Sequence, residues 1–314
     1  MSEEYGLLDQ ENADAPGDEW EEIDVTDTEA DRIARQRDRE FSQFRERIKD
    51  TEQFKVEQSV FDDATLAALY KLVQDGYVRA FGGPLSSGKE ATVYNALGDG
   101  EGEEVAVKIY RINTSDFQDM REYLVGDPRF EELSGNKKRV VLAWVRKEYA
   151  NLKRAARAGV RVPEPIAVER NVLVMEFLGD DGARAPTLDD AHLENPETAY
   201  GVVREYMRRL YDAGLVHGDL SEYNIIVHDG ELCIIDLGQA VTLHHPNSDD
   251  FLTRDCANVA AFFQRQGMDV TGDELEDWVR EHADPTACPR GRPDSPRSGV
   301  AGDLALEPLD ELDD

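Results

Sequence analysis

Apolar positions along the chain change from a strand-like to a helix-like spacing, and this change predicts the order of the elements. A helix that Asp62 or Asp63 can cap is followed by three short β-like runs, at 77–81, 92–97 and 105–110. Helical spacing then occupies four segments: 141–158, which Gly159 ends, 197–213, 251–266 and 273–282. This order indicates an α+β protein with a β-rich first lobe and a more helical second lobe.

Three further strands are predicted around the junction of the two lobes and beyond it. Residues 172–177 form an apolar run typical of a buried strand. The runs 225–227 and 232–235 flank Asp229-Gly230, a strong signal for a two-residue hairpin. We place the connection between the lobes near 176–182 and expect a ligand to bind between them.

The two ends of the chain are more acidic and less periodic than the middle. Residues 1–50 hold 17 acids and 7 bases, and we expect a largely disordered arm with a charged helix near 28–49. Residues 284–314 hold 8 acids and 3 bases in a Pro/Gly-rich sequence, which predicts a disordered acidic tail. The globular part is therefore expected over 51–283, and within it 111–139 is expected to be a long loop with some helix.

The net charge of −32 is spread over the folded part, since about −17 of it falls within 51–283. Such a surface repels itself in dilute buffer, whereas at about 1 M salt the Debye length shortens to about 3 Å. A salt-rich cytoplasm explains the charge best, and binding to basic partners is the alternative. With 40% hydrophobic residues, enough apolar side chains are present for a core.

Targeting signals and cysteine spacing favour a cytoplasmic protein. No run of 18 apolar residues is present, so no membrane-spanning helix is expected. The first twenty residues are acidic and contain no base, unlike a secretory signal. The three cysteines have no metal-ligand spacing and cannot all pair with one another, as is usual in a reducing compartment.

The most specific chemical signal is a pair of aspartates around an asparagine. Asp219 lies five residues before Asn224, and Asp236 follows the predicted hairpin. Phosphoryl transfer uses such a set: one carboxylate accepts the proton of the attacking hydroxyl, and an amide and a second carboxylate hold Mg²⁺. We therefore predict Asp219 and Asp236 as catalytic residues, with Asn224 and Asp236 as metal ligands.

Upstream, Lys108 ends an apolar strand that resembles the kinase strand whose lysine contacts the α- and β-phosphates. Glu148, in the middle of the predicted helix 141–158, is the expected partner that holds Lys108 in place. The plain alternatives are an exposed strand-end lysine and a solvated helix face.

Residues 83–90 nearly match a Walker A loop but have Glu90 where Ser or Thr should bind Mg²⁺, and a strand follows instead of a helix. A P-loop is therefore rejected in favour of a loop between two strands that covers the nucleotide. Its phosphate contacts are predicted to be Ser86, Ser87, Gly88 and Lys89.

The run 172–178 is in the position of a kinase hinge. Backbone groups of Glu176 and Leu178 would hydrogen-bond adenine, and Met175 would line the pocket. A plain core strand would explain the apolar residues equally well, and the position relative to Lys108 and Asp219 decides between the two.

These motifs together resemble the RIO atypical protein kinases, and most closely the type-one branch. The resemblance runs from about 54 to 267 and rests on GGPLSSGKEATVY at 82–94, VKIYR at 107–111, VHGDLSEYN at 216–224 and IDLGQAV at 235–241. It implies a bilobal protein-kinase-like fold, with a β-rich N-lobe over about 51–177 and a trimmed helical C-lobe over about 178–283. The acidic surface suggests a halophilic archaeal member.

The resemblance also implies binding of ATP and Mg²⁺, with Mn²⁺ as a second candidate, and serine or threonine phosphorylation that includes the protein itself. Family members have been proposed to act as ATPases through a phosphorylated metal-binding aspartate, here Asp236. The implied partner is the pre-small-subunit ribosomal particle, protein and rRNA, with no membrane or direct DNA binding. Candidate RNA contacts are Lys137–Arg139 and the cluster of Arg204, Arg208 and Arg209.

Two other functions stay open at this point. His-Gly-Asp and Ile-Ile-Asp also occur in small-molecule kinases of the aminoglycoside and choline kinase type. A scaffold that binds the ribosome and uses ATP only to set its own shape is the other alternative. Too few residues follow Asp236 for an activation segment plus substrate-docking helices, which makes a peptide groove doubtful.

Overall fold

The computed structural model describes residues 62–100, 102–112, 117–130, 137–285 and 306–308 of the chain. The predicted arm over 1–50 and its charged helix near 28–49 lie outside the described residues. So does most of the predicted tail over 284–314. Within that tail the structure has a three-residue strand that the composition did not predict.

A five-stranded antiparallel sheet forms the first lobe, with the strands in the order β1-β2-β3-β5-β4. The strands are β1 (Ala80–Ser87), β2 (Ala91–Leu97), β3 (Glu104–Tyr110), β4 (Pro165–Glu169) and β5 (Val172–Glu176). Helix α1 (Asp63–Gln74) precedes the sheet, and the Asp62 carboxylate caps it by accepting from the Thr65 N–H at 2.7 Å. Leu66 and Leu69 of α1 are buried in the same apolar cluster as the sheet, each contributing about 1.5–3 kcal/mol.

The predicted first strand at 77–81 is wrong in its position, because the strand is Ala80–Ser87. It runs through 83–87, the first part of the segment 83–90 that we expected to be a loop. Register shifts on either side of Pro84 accommodate the proline, which β1 tolerates because it is an edge strand.

Helix α3 (Lys137–Arg157) crosses between the sheet and the second lobe. It begins four residues earlier than predicted. The preceding segment contains a short helix α2 (Phe117–Glu122) and a 3₁₀ turn (Pro128–Phe130), in agreement with the predicted loop with some helix. Trp144 and Leu152 of α3 are buried in one core with residues of the second lobe.

Within the described residues, the second lobe contains three long helices and several very short strands. The helices are α4 (Pro196–Asp212), α5 (Ser248–Arg265) and α6 (Gly272–His282). The strands are β6 (Gly179–Asp180), β7 (Ala183–Arg184), β8 (Ala191–Leu193), β9 (Leu215–Val216), β10 (Ile225–His228), β11 (Glu231–Ile234), β12 (Val241–Thr242) and β13 (Leu306–Pro308). They pair as β6–β7, β8–β13, β9–β12 and β10–β11. Sequence patterns predicted the helices and β10–β11, whereas β4, β6–β9, β12 and β13 were not predicted.

The predicted hairpin is confirmed in its turn as well as its strands. Asp229 and Gly230 both have positive φ angles, of 53° and 74°, as a two-residue type I′ turn requires. The hairpin matters for the site because β11 leads directly into Asp236.

No helix in the described part of the chain is both long and apolar enough to cross a membrane. Cys233 and Cys256 are buried free thiols. Burial raises the pKa of the Cys256 thiol well above its usual value, so neither geometry nor ionisation marks it as a nucleophile.

Candidate active site

A cavity of about 360 Å³ lies between the two lobes. Eight of the predicted site residues line it: Ser86, Gly88, Lys89, Lys108, Met175, Glu176, Leu178 and Asp236. Of the remaining four, Glu148 lies behind Lys108, Ser87 is turned away from the cavity, and Asp219 and Asn224 belong to the catalytic loop (216–224). The predicted residues therefore converge from separate strands and loops on one cleft.

Lys108, on β3, joins the two lobes at the base of this cavity. Its Nζ donates to Glu148 Oε1 and to Asp236 Oδ1, each at 2.8 Å. The Lys108 side chain is 9% exposed, whereas that of Asp236 is 51% exposed. Burial lowers the pKa of Lys108, but the two carboxylates outweigh burial and hold the pKa well above its usual value. Lys108 is therefore a fixed cation beside a carboxylate that stays accessible.

Glu148 reaches Lys108 from α3 and has a second partner that the sequence did not identify. The Tyr110 hydroxyl donates to Glu148 Oε2. Tyr110 lies two residues after Lys108, so both side chains project from the same face of β3. Burial raises the pKa of Glu148, and the Lys108 ammonium opposes that rise. The i, i+2 spacing was the available signal for Tyr110.

Asp236 follows β11 in a left-handed backbone conformation, with φ of 60°. A non-glycine residue with this φ is uncommon and often occurs at functional sites. Partial desolvation within the cleft raises the pKa of Asp236, but the adjacent Lys108 outweighs this effect and keeps the pKa below its usual value. The carboxylate is therefore anionic and faces the cavity.

The two glycines of the motifs allow the loops to pack closely. A Cβ on Gly238 would lie 2.9 Å from Trp144 Nε1, and one on Gly218, where φ is +79°, would lie 3.0 Å from the Gln239 carbonyl oxygen. The Gly238 distance is shorter than real Cβ contacts allow, and the Gly218 distance is tighter than nine in ten of them. Glycine at both positions therefore lets α3 and the two loops approach each other.

Asp255, on α5, holds the backbone of the catalytic loop. Its carboxylate oxygens accept from the Gly218 and Leu220 N–H groups, each at 2.8 Å. Asp219 lies between these two residues, so its direction is set by bonds on both sides. Burial raises the pKa of Asp255 to about 6 and raises the pKa of Asp219 as well, against the charges of His217 and Arg254. Asp255 was not predicted because it lies 36 residues from Asp219 in the sequence.

Asn224 ends the catalytic loop and is tied back to it. Its Nδ2 donates to the Asp219 carbonyl oxygen at 2.8 Å, which leaves Oδ1 as the atom suited to a cation. His217 Nε2 lies 3.0 Å from the Ile235 carbonyl oxygen, so the catalytic loop is also joined to the residue before Asp236. Amide and carboxylate oxygens are ligands that Mg²⁺ prefers, and two protein ligands suffice where phosphates supply others.

The end of β1 and the turn after it carry the predicted phosphate contacts. Ser86, Gly88 and Lys89 line the cavity. The Ser87 hydroxyl instead accepts from Arg111 Nη2 at 3.2 Å, outside the cavity lining. Arg111, which was not predicted, therefore braces the turn.

The hinge is held by an arginine that the sequence did not single out. Arg161 donates to both Glu176 carboxylate oxygens, at 2.6 and 2.7 Å. The Glu176 N–H donates to the Glu164 carbonyl at 2.9 Å, and the Leu178 carbonyl accepts from the Ala185 N–H at 3.0 Å. The side chain of Glu176 therefore points to Arg161, and only its backbone is placed to contact a base.

A family model described as the RIO domain matches residues 92–275 of the chain. The match includes Lys108, Glu148, Asp219 and Asp236. The chain belongs to the RIO family. The predicted family is thus confirmed.

Two archaeal relatives of this RIO chain are described as RIO-type serine/threonine-protein kinase Rio1. The one from Haloferax volcanii is 67% identical over 279 residues, which cover 89% of this chain and 96% of the relative. The one from Methanocaldococcus jannaschii is 40% identical over 230 residues, covering 73% and 78%. The predicted type-one branch and the assignment to serine/threonine protein kinases are therefore confirmed.

Among solved structures, a Rio2 kinase from Chaetomium thermophilum in an ADP/Mg²⁺-phosphoaspartate complex is similar in fold. Its TM-score is 0.52 at 23% identity, over 70% of this chain and 68% of that chain. This likeness confirms the predicted bilobal fold, with a β-sheet N-lobe and a helical C-lobe.

Proposed function

We propose that this RIO chain uses ATP and Mg²⁺ to phosphorylate serine or threonine, and that it acts in maturation of the small ribosomal subunit in the cytoplasm. The observation that carries the proposal is the contact of Lys108 with both Glu148 and Asp236 at 2.8 Å, beside a cavity between the lobes. Phosphoryl transfer depends on positioning and charge stabilisation, and this arrangement supplies both.

In this proposal the adenine of ATP lies between Met175 and the hinge. Because the Glu176 N–H and the Leu178 carbonyl have backbone partners, adenine would use the Glu176 carbonyl and the Leu178 N–H. The phosphates would lie under Ser86–Lys89, with Lys108 on the α- and β-phosphates. The braced Ser87 would act through the shape of the turn.

The residues present fit a magnesium ion, and Mn²⁺ as its substitute. Asn224 Oδ1 and the half-exposed Asp236 carboxylate would hold it. When bound, the ion would neutralise charge on the phosphates during transfer of the phosphoryl group to the acceptor. Asp219, held by Asp255 through the backbone, would accept the proton of the attacking hydroxyl.

An ATPase route is a second candidate, favoured by the exposure of Asp236 to the cavity. An Asp236 carboxylate oxygen would bond to the γ-phosphorus while the bond from that phosphorus to the β–γ bridging oxygen breaks, and ADP leaves. Water would then hydrolyse the acyl phosphate to phosphate and free Asp236. The small-molecule kinase alternative is disfavoured by the family match.

Contacts of this RIO chain with rRNA would need a local basic patch, because the surface is acidic. On α4, Arg208 and Arg209 form ion pairs with Glu205, and Arg208 also pairs with Asp212. These pairs neutralise part of the charge of that cluster, and both the cluster and Lys137–Arg139 stay candidates for the RNA contact.

Lys108→Ala is expected to lower phosphoryl transfer by about 10²–10³-fold, the range for losing one group that stabilises developing charge. Single-turnover reactions with γ-labelled ATP and purified pre-small-subunit particles, in molar KCl, measure ATP hydrolysis and protein labelling separately. Lys153→Ala on α3 is the control and should retain activity. Equal turnover in Lys108→Ala and wild type would contradict the proposed function. Hydrolysis without protein labelling would favour the ATPase route. If the particles stimulate neither hydrolysis nor labelling, the scaffold function would be favoured.

Adaptation to a salt-rich cytoplasm is part of this proposal and predicts a steep salt dependence. The thermal midpoint of unfolding should rise strongly as KCl increases from dilute to molar, because screening removes repulsion among the acidic side chains. Sucrose at matched osmolality is the control, since it acts by exclusion and not by screening. A midpoint that does not change with KCl would revive the alternative of basic partners.

A further inference from the structure

The segment 117–130, which we call the bridge segment, is fixed to the second lobe at three points. His245 Nε2 lies 3.0 Å from the Glu122 carbonyl oxygen. A Cβ on Gly126 would lie 2.6 Å from Pro246, so the backbone there touches the lobe directly. The Tyr123 ring stacks on Phe251 of α5, with centroids 5.0 Å apart.

The bridge segment also contacts α3, the helix that carries Glu148. Tyr123 packs edge-on against Trp144 at 5.9 Å. Arg129 donates to Asn151 Oδ1 at 2.9 Å, and Asn151 Nδ2 donates to the Leu237 and Ala240 carbonyls at 3.0 and 2.9 Å. The segment therefore connects α3, α5 and the loop after Asp236.

Arg254, on α5, joins this segment to the catalytic loop. Its Nη2 donates to the Gly218 carbonyl oxygen and lies 3.4 Å from the Tyr123 hydroxyl. Its guanidinium also lies over the Phe251 ring, at 5.0 Å. The carbonyl that it binds directly precedes Asp219, so a shift of Arg254 would reach the proposed catalytic carboxylate through a single residue.

In many protein kinases the orientation of the helix bearing the glutamate is set by a phosphorylated activation segment. In this chain α5 begins at Ser248, twelve residues after Asp236, and β12 occupies part of that interval. The bridge segment and Arg254 instead supply contacts from α3 to the catalytic loop without a modification.

We propose that Arg254 is a positioning residue for phosphoryl transfer: through Tyr123 and the Gly218 carbonyl it holds the bridge segment, and with it α3, against the catalytic loop, and so keeps Asp219 in place. The kinetic part of this inference rests on the proposed function. The structural part does not, and it can be tested without turnover.

The structural test is hydrogen–deuterium exchange of the full chain with Arg254→Met. Exchange should rise in peptides covering 117–126 and 216–220, whereas the β10–β11 hairpin should be unchanged. Arg280→Met is the matched control, because Arg280 also lies over an aromatic ring and donates to a tyrosine hydroxyl, but away from the cavity. Unchanged exchange in both peptides would overturn the proposal.

The kinetic test separates positioning from nucleotide binding. In Arg254→Met, kcat should fall about tenfold or more while KM for ATP stays within about twofold, because misplacement of Asp219 affects the transfer step. Arg254→Lys should recover part of kcat through the Gly218 carbonyl. A rise in KM alone, or no recovery by lysine, would contradict the proposal.

A milder variant covers the case in which Arg254→Met does not fold. Tyr123→Phe removes only the hydroxyl and should raise exchange in 216–220 in the same direction by a smaller amount. If the effects of Tyr123→Phe and Arg254→Lys on exchange simply add in the double variant, the proposed coupling through Arg254 would be overturned, since coupled contacts are non-additive. If exchange changes in these variants while the wild-type protein shows no turnover, the positioning role of Arg254 would be supported and the proposed function refuted.

Discussion

Asp219→Asn is expected to reduce the rate of phosphoryl transfer by about 10²–10⁴-fold, the usual contribution of a positioned general base. The amide matches the carboxylate in shape, and the loop is held by the backbone bonds to Asp255, so the fold should persist. Binding of MgADP should change little, because Asp219 does not line the nucleotide cavity. Rapid-quench kinetics and calorimetric titration measure the two quantities.

The pH dependence gives a second sign of the same role. Burial raises the pKa of Asp219 above that of an ordinary aspartate. Transfer should therefore fall on the acidic side at a higher pH than an exposed carboxylate would give, and Asp219→Asn should lose this limb. Asp277→Asn, on the exposed side of α6, is the control. A variant at Asp219 with wild-type kcat, or with the acidic limb intact, would exclude Asp219 as the proton acceptor.

The sequence identified the parts of the site that lie within short local patterns. Asp219 and Asn224 share one loop, Asp236 follows a confirmed hairpin, and Lys108 lies within an apolar strand, β3. Glu148 required only the choice of one acidic residue in a well-defined helix. In each case the chemistry and the local structure were encoded by neighbouring residues.

The residues that hold these groups in place were missed for a physical reason. Asp255 and Arg254 act on the catalytic loop from α5, and Arg161 acts on the hinge from the connection before β4. Each is a charged residue that looks like an ordinary solvated side chain in the sequence. Only the tertiary fold brings the Asp255 carboxylate to backbone N–H groups, the Arg254 guanidinium to a backbone carbonyl and the Arg161 guanidinium to a carboxylate.

The strand predictions failed where pairing outweighs local preference. Strand β1 extends through Gly82, Gly83 and Pro84, which are poor strand formers, because β2 supplies its hydrogen bonds. The paired strands β6–β7 and β9–β12 have two residues each, too few to show any period. Ser87 was assigned to phosphate by motif, and the structure places its hydroxyl beside Arg111.

Asp236→Asn is expected to weaken Mg²⁺-dependent binding of ATP by at least about 10–100-fold. Substitution of a residue that only supports a metal ligand already lowers metal affinity by this much. The variant loses the charge that would hold the ion and that now pairs with Lys108 at 2.8 Å. Asparagine tolerates the left-handed backbone at this position, where φ is 60°, so the loss should reflect charge and not strain. Titration of nucleotide with and without Mg²⁺ measures the difference.

Asp229→Asn is the matched control, because Asp229 has φ of 53° at the tip of the β10–β11 turn and lies outside the cavity. If Asp236→Asn leaves Mg²⁺-dependent binding of ATP intact, the assignment of Asp236 as a metal ligand would be refuted. If Asp236 accepts the phosphoryl group, wild-type protein should also carry a label from γ-labelled ATP that is acid-stable but sensitive to base and hydroxylamine. Asp236→Asn should form none of this label. Labelling of wild-type protein only as alkali-stable or phosphoserine-type product would exclude the aspartyl route and leave transfer to serine.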